Sequence, residues 1–224
     1  MIERALRLIV WLLVGTAAVV VTALALRLWT DLEDPYWLFQ AGVDAQVEAG
    51  LPGVAIDPDD PLLRRRMIVI TASINERSAA HVIPRLHYLS ALDPRTPIDL
   101  VVTTTGGWRD SAFAIIDTMR TIAAPVNTLA VGGCYSAGTL VVAGGTGTRA
   151  ASRDALLMVH ANLDGSDEPF AQEPRELARE ARFWKTRARL PGDWDLDGGG
   201  SYYLTAEEAK QFGIVDVVRD DVER

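Results

Sequence analysis

Leu129-Ala130-Val131-Gly132-Gly133-Cys134-Tyr135-Ser136-Ala137-Gly138 is the stretch on which the fold turns. Its apolar start reads as a strand, the paired glycines as a tight turn, and the small residues 137–143 as a helix that starts at the serine. Glycines on both sides let the backbone turn sharply and leave the hydroxyl unshielded. A serine is a poor nucleophile until a base takes its proton and backbone N–H groups receive the oxyanion. His160 closes a second apolar run, Leu156-Leu157-Met158-Val159, and is a candidate for that base. The plainer alternative for the turn alone is a helix packed on a strand, with no chemistry.

Strand-like runs fall at 67–71, 98–103, 126–131 and 156–159, with a short one at 214–218. Helical stretches fall at 78–92, 111–122 and 136–143. Apolar, unalternating strands separated by helices predict parallel strands buried on both faces. Phe113, Ile116 and Met119 lie three apart, a face that packs on the sheet and leaves Asp117 outside. Residues 173–189 are expected to form a charged helix with Leu177, Ala181, Trp184 and Ala188 on one stripe.

Several pieces resemble the proteolytic subunit of the Clp protease (ClpP), in the order that family has them. They are Arg66-Met67-Ile68-Val69-Ile70-Thr71, the stretch from His81 ending Leu89-Ser90-Ala91-Leu92-Asp93-Pro94, and the strand from Ile98 ending Thr103-Thr104-Thr105-Gly106-Gly107. Ile115-Ile116-Asp117-Thr118-Met119, the Ser136 turn, His160, Tyr203-Leu204-Thr205-Ala206-Glu207-Glu208-Ala209 and Phe212-Gly213-Ile214-Val215-Asp216 complete the set. The resemblance implies an α/β fold, the Clp/crotonase-type spiral of β-β-α units. It also implies a serine peptidase with Ser136 as nucleophile, His160 as base, and the N–H groups of Gly107 and Ala137 as oxyanion hole. Gly106 and Trp108 would border the substrate groove, and residues 173–189 would be the handle helix through which subunits of a homo-oligomer interdigitate. Peptide or protein substrates follow from the same resemblance, with no cofactor.

The chain departs from that pattern at four places. Cys134 and Tyr135 stand where the family has small residues, and Ala161-Asn162 follow the histidine in place of Gln-Pro. The segment between His160 and Tyr203 is short, and Ser201 occupies the position of the aspartate that completes the family's triad. Asp195 and Asp197, in the glycine-rich loop 192–200, are substitutes; Ser201, a backbone carbonyl or an unassisted dyad are the others. Asp197 ranks first, because a carboxylate best stabilises the imidazolium.

Rival chemistries are set beside this one. Proteins resembling signal peptide peptidase A use a serine–lysine dyad on the same fold, and Lys185, one of only two lysines, would then be the base. Crotonases bind acyl-CoA thioesters with paired oxyanion N–H groups but need no serine at the helix start. A catalytically inactive scaffold is the third, favoured by the missing aspartate and opposed by Ser136, His160 and Gly107.

Composition bounds the rest. A chain of 224 residues, 49% hydrophobic, buries one substantial core. Its net charge of −8 would repel phosphate backbones, so nucleic acid is excluded as a partner. The single cysteine, Cys134, cannot form an intrachain disulfide and reads as a small buried filler, and three scattered histidines suggest no metal site. His81 and His87 read as surface or partly buried helix residues, and Arg64-Arg65-Arg66 as a solvated edge.

Leu8 through Leu26 is an uncharged run of 19 residues, long enough to cross a bilayer as one transmembrane helix. Arg4 and Arg7 precede it while Asp31, Glu33 and Asp34 follow, which places the N-terminus in the cytoplasm and the remainder outside. A cleaved signal peptide is the rival, since Ala23-Leu24-Ala25 resembles a cleavage site. The expected organisation is therefore a membrane anchor or signal peptide at 1–27, a connector with a short amphipathic helix at 28–65, and a ClpP-like domain at 66–224. Catalysis is expected outside the cytoplasm, without ATP.

Overall fold

The computed structural model describes residues 56–160, 174–194 and 200–219, all within one compact unit, Ile56–Arg224. The expected anchor, most of the connector, Asp195 and Asp197 lie outside the described residues. No helix among the described residues is long and apolar enough to cross a membrane.

The elements run α1 (Pro61–Arg64), β1 (Met67–Ile70), α2 (Glu76–Leu92), β2 (Ile98–Thr104), α3 (Arg109–Thr121), β3 (Val126–Tyr135) and α4 (Ala137–Ala143). They continue with β4 (Arg149–Ser152), β5 (Leu156–His160), α5 (Pro174–Arg187), β6 (Ser201–Thr205), α6 (Ala206–Gln211) and β7 (Val217–Arg219). One sheet carries all the strands: β1-β2-β3-β4-β7 pair in parallel, β5 joins β3 in parallel, and β6 lies antiparallel to β5.

Strand β3 is where the sheet forks. Its first half pairs with β4 through Thr128, Leu129 and Ala130, and its second half with β5 through Gly133, Cys134 and Tyr135. Against β2 the register jumps from Val102↔Ala130 to Thr104↔Cys134, so β3 carries two extra residues across that step. Gly132, at φ +61, supplies the left-handed backbone that such a bulge needs. The two glycines thus bend a strand instead of ending it, which corrects the expectation of a turn there; the reversal of direction is confined to Ser136.

A second correction concerns burial. Along β2, Ile98, Leu100, Val102 and Thr104 are buried while Asp99, Val101 and Thr103 are only half-buried. The strands are therefore covered fully on one face, not both. Val82, Leu86 and Leu89 of α2, Ile115, Ile116 and Met119 of α3, and Leu140 and Val141 of α4 are all fully buried in the core that also holds Ile68, Leu100 and Val102. Each such side chain contributes roughly 1.5–3 kcal/mol of transfer free energy. The Phe113–Ile116–Met119 face is buried as expected, and Asp117 is exposed.

Arg66 is not a solvated edge. At φ 59 it turns the chain into β1, and its guanidinium donates to the carbonyls of Leu89, Asp93, Thr96 and Pro97 at 2.8–3.1 Å. It thereby satisfies orphan carbonyls around the C-terminus of α2. In α5 the buried residues are Phe183 and Trp184, with Leu177 half-buried and Ala181 exposed, so the expected stripe is rotated by about one residue. Phe183 packs edge-on against Phe113, and the Arg109–Glu180 ion pair at 3.3 Å fixes α5 to the start of α3.

Candidate active site

Ser136 stands at φ 55, ψ −122, immediately before the first residue of α4. For a non-glycine residue this conformation costs on the order of 1–3 kcal/mol and persists only where the surroundings hold it. They do so here. The Ser136 N–H donates to the Met158 carbonyl of β5 at 2.9 Å, and the Thr139 hydroxyl lies 2.8 Å from the carbonyls of both Met158 and Cys134. Two residues beyond Met158, and so on the same face of β5, comes His160. Its Nε2 lies 2.5 Å from Ser136 Oγ. A short hydrogen bond between a hydroxyl and an imidazole, with the hydroxyl on a strained elbow, is the arrangement in which the serine proton passes to nitrogen as the oxygen attacks.

The helix packs closely enough to leave no room for a side chain at Gly138. A Cβ there would come within 2.4 Å of Thr104 Cγ2 and 3.2 Å of Cys134 Sγ. Cys134 is the expected core filler; burial pushes its thiol up to about 12, so it remains protonated and is no rival nucleophile.

The Gly106-Gly107 turn faces the serine. A Cβ on Gly106 would fall 2.7 Å from Ser136 Cβ and 3.2 Å from its Oγ, and one on Gly107 would fall 2.0 Å from the Ile74 carbonyl oxygen. Their φ values of +105 and +145 exclude other residues independently. Ile74 bridges the turn: its N–H donates to the Gly106 carbonyl and its carbonyl accepts from Trp108 N–H, both at 2.8 Å. That pattern points the Gly107 N–H away from Ile74. The Thr104 hydroxyl, donating to the Ala72 carbonyl at 2.8 Å and accepting from Gly106 N–H at 3.0 Å, locks the turn from below. Ala137, buried in the first turn of α4, has no intrahelical acceptor for its N–H. Neither the Gly107 N–H, on the glycine turn, nor the Ala137 N–H, at the helix start, donates to a backbone carbonyl among the described residues. Trp108, half-buried, follows directly as the residue that caps α3.

On its other side the imidazole is less complete. His160 Nδ1 is buried and has no hydrogen-bond partner among the described residues. Ser201 lies directly opposite His160 in the antiparallel β5–β6 pair, so their side chains share one face. Lys185 is exposed and borders a separate cavity whose lining includes neither Ser136 nor His160, so the lysine–serine pairing is not formed. His81 is half-buried and His87 exposed on α2, away from this constellation.

Residues 53–190 match the Clp protease family. This chain belongs to that family. It is 30% identical, over 207 residues, to the ATP-dependent Clp protease proteolytic subunit 1 of Salinibacter ruber (strain DSM 13855 / M31), a match covering 84% of this chain and 88% of the relative. Family membership makes the chain a peptidase, serine-type by family, and the mixed α/β sheet is of the Clp protease kind. Members of the Clp protease family form oligomers and act on protein substrates.

Thr104, Thr139 and Ile74 support the site and were not singled out in the sequence. Only the three-residue step from Ser136 to Thr139 is a local signal; the partners of Thr104 and Ile74 are set by tertiary pairing.

Proposed function

We propose that this Clp protease family member is an ATP-independent serine endopeptidase acting outside the cytoplasm on peptides, or on unfolded or membrane-proximal segments. The reading rests above all on the 2.5 Å contact between Ser136 Oγ and His160 Nε2 on a strained elbow. In this mechanism Ser136 attacks the scissile carbonyl and His160 accepts its proton. The Gly107 and Ala137 N–H groups receive the oxyanion, and His160 then returns the proton to the leaving amine. Gly106 and Trp108 border the groove. Asp197 supplies the carboxylate for His160 Nδ1. It lies four residues before Ser201, the residue opposite His160, and that short connection lets the chain bring a carboxylate toward the orphaned nitrogen.

The location follows from the uncharged Leu8–Leu26 run and its flanking charges, which make residues 1–27 an anchor, or a signal peptide, with the domain exported. Outside the cytoplasm there is no ATP pool to drive an unfoldase, which separates this chain from a relative named as ATP-dependent. A ring or smaller homo-oligomer is the expected assembly. The unpartnered Nδ1 favours one second reading, an inactive scaffold that keeps the fold for assembly. The full chain in neutral detergent, incubated with a fluorogenic peptide library with and without ATP, separates them. Hydrolysis that is indifferent to ATP and abolished by Ser136→Ala supports the peptidase; no hydrolysis beyond that of the Ser136→Ala variant supports the scaffold.

A further inference from the structure

A cavity of about 580 Å³ opens between the C-terminal ends of α5 and α6, above β4. Arg149, Lys185, Arg187, Arg189 and Lys210 line it, against one carboxylate, Asp216. Arg149 consumes that carboxylate: its Nη2 lies 2.5 Å from Asp216 Oδ1 and its Nε 3.1 Å from Oδ2. The same guanidinium donates to the carbonyls of Arg187 and Gly213, at 3.2 and 2.8 Å. Arg149 and Asp216 therefore form a neutral, hydrogen-bonded floor. The other four cations have no ion-pair partner among the described residues.

The plain explanation is that cations gather at helix C-termini. Each terminus carries a partial charge of about −0.5, so two of them offset at most about one of the four positive charges. Arg149 already serves one α5 carbonyl, and Arg189 lies beyond the helix. Among the described residues roughly three charges stay unbalanced in this concavity, in a protein whose net charge is −8. Burial, with repulsion from Arg120 and Arg149 and partial relief from Asp216, holds the Arg187 pKa below its usual value, as expected where cations crowd.

We infer that this cavity is a binding site for a small, multiply charged oxyanion of the phosphate class. Its volume suits a small ligand. Arginine forks match phosphate oxygens in bidentate geometry, and lysines add point charge. A single peptide carboxylate would leave most of the charge unmatched. Two sources present this chemistry, a soluble oligophosphate and a phospholipid headgroup.

The test uses the full chain in neutral detergent, titrated with inorganic pyrophosphate by calorimetry at low salt. Saturable binding at one site per chain is expected. Arg189→Gln and Lys210→Gln, both at exposed positions, should each weaken it about tenfold, the size of one charge-assisted hydrogen bond. Added salt should weaken it further. Peptide hydrolysis without pyrophosphate should be the same in these variants as in wild type, and their thermal unfolding confirms that they fold. If pyrophosphate does not bind, vesicles decide. Greater retention on phosphatidylglycerol than on phosphatidylcholine, lost in the double variant, assigns the phosphate to a lipid. The inference is overturned if neither probe binds, if the double variant binds as wild type does, or if hexaglutamate binds and both phosphate probes fail.

Discussion

On its Nε2 side His160 meets Ser136 at 2.5 Å, within a frame fixed by Met158, Thr139, Gly106 and Gly138; on its Nδ1 side it presents a buried nitrogen with no partner among the described residues. The first side is made of tightly packed backbone, where a single added methyl would collide. The second lies on a strand whose antiparallel neighbour, β6, sets Ser201 opposite His160. The difference teaches where each part of the chemistry is encoded. In the proposed mechanism attack and oxyanion binding rest on backbone geometry that the fold imposes. In the same mechanism orientation of the base rests on one side chain, and Ser201 stands opposite His160 where the family pattern has an aspartate.

Asp197→Asn should have the largest effect on the far side of the imidazole. If Asp197 completes the far side, kcat should fall by about 10⁴-fold, as loss of a triad carboxylate does, while Ser201→Ala changes it little. The reverse result, an impaired Ser201→Ala beside an unaffected Asp197→Asn, assigns the role to the strand position opposite His160. Inactivation by Lys185→Met with neither effect would replace His160 as the base.

Gly107→Ala probes the near side. Its Cβ would sit 2.0 Å from the Ile74 carbonyl oxygen at φ +145, so the turn must shift and carry the N–H with it. Loss of an aligned oxyanion donor costs on the order of 10²–10³ in kcat, with KM changed less. Full activity in a folded Gly107→Ala would remove this N–H from the mechanism.

A smaller effect tests stability away from both sides. The Thr96 hydroxyl, with the N–H groups of Arg95 and Thr96, lowers the Asp93 carboxyl to about 2. Because the folded value is depressed, its contribution is fully present above the free value of about 3.9 and is lost as the pH falls through about 2. Asp93→Ala should therefore lower Tm slightly at pH 7, and the gap to wild type should narrow below pH 4. A gap that widens in acid would contradict the sign.

Much of this was legible in the chain itself. The order of β1, α2, β2, α3, β3 and α4 follows from apolar runs and helical spacing, and Ser136 and His160 from the elbow and the strand end. What was not legible depends on pairing across the sheet. Gly132-Gly133 reads locally as a turn, and only the register against β2 reveals a bulge that forks β3. Strands β4 (Arg149-Ala150-Ala151-Ser152) and β6 (Ser201-Tyr202-Tyr203-Leu204-Thr205) carry no run of large aliphatic residues of the kind that marks β1 and β5, which are just as short. Arg66 looked solvated within a run of three arginines, because its four acceptors lie 23 to 31 residues away in sequence.

If His160 activates Ser136, the serine should react with an electrophile only while the imidazole lies against it. Labelling of the full chain by a fluorophosphonate probe, followed by mass spectrometry of the modified peptide, tests it most directly. One adduct per chain is expected, on Ser136, lost in His160→Ala although the serine is still present. Labelling of Ser136 that is undiminished in His160→Ala, or none in the wild type, would contradict it.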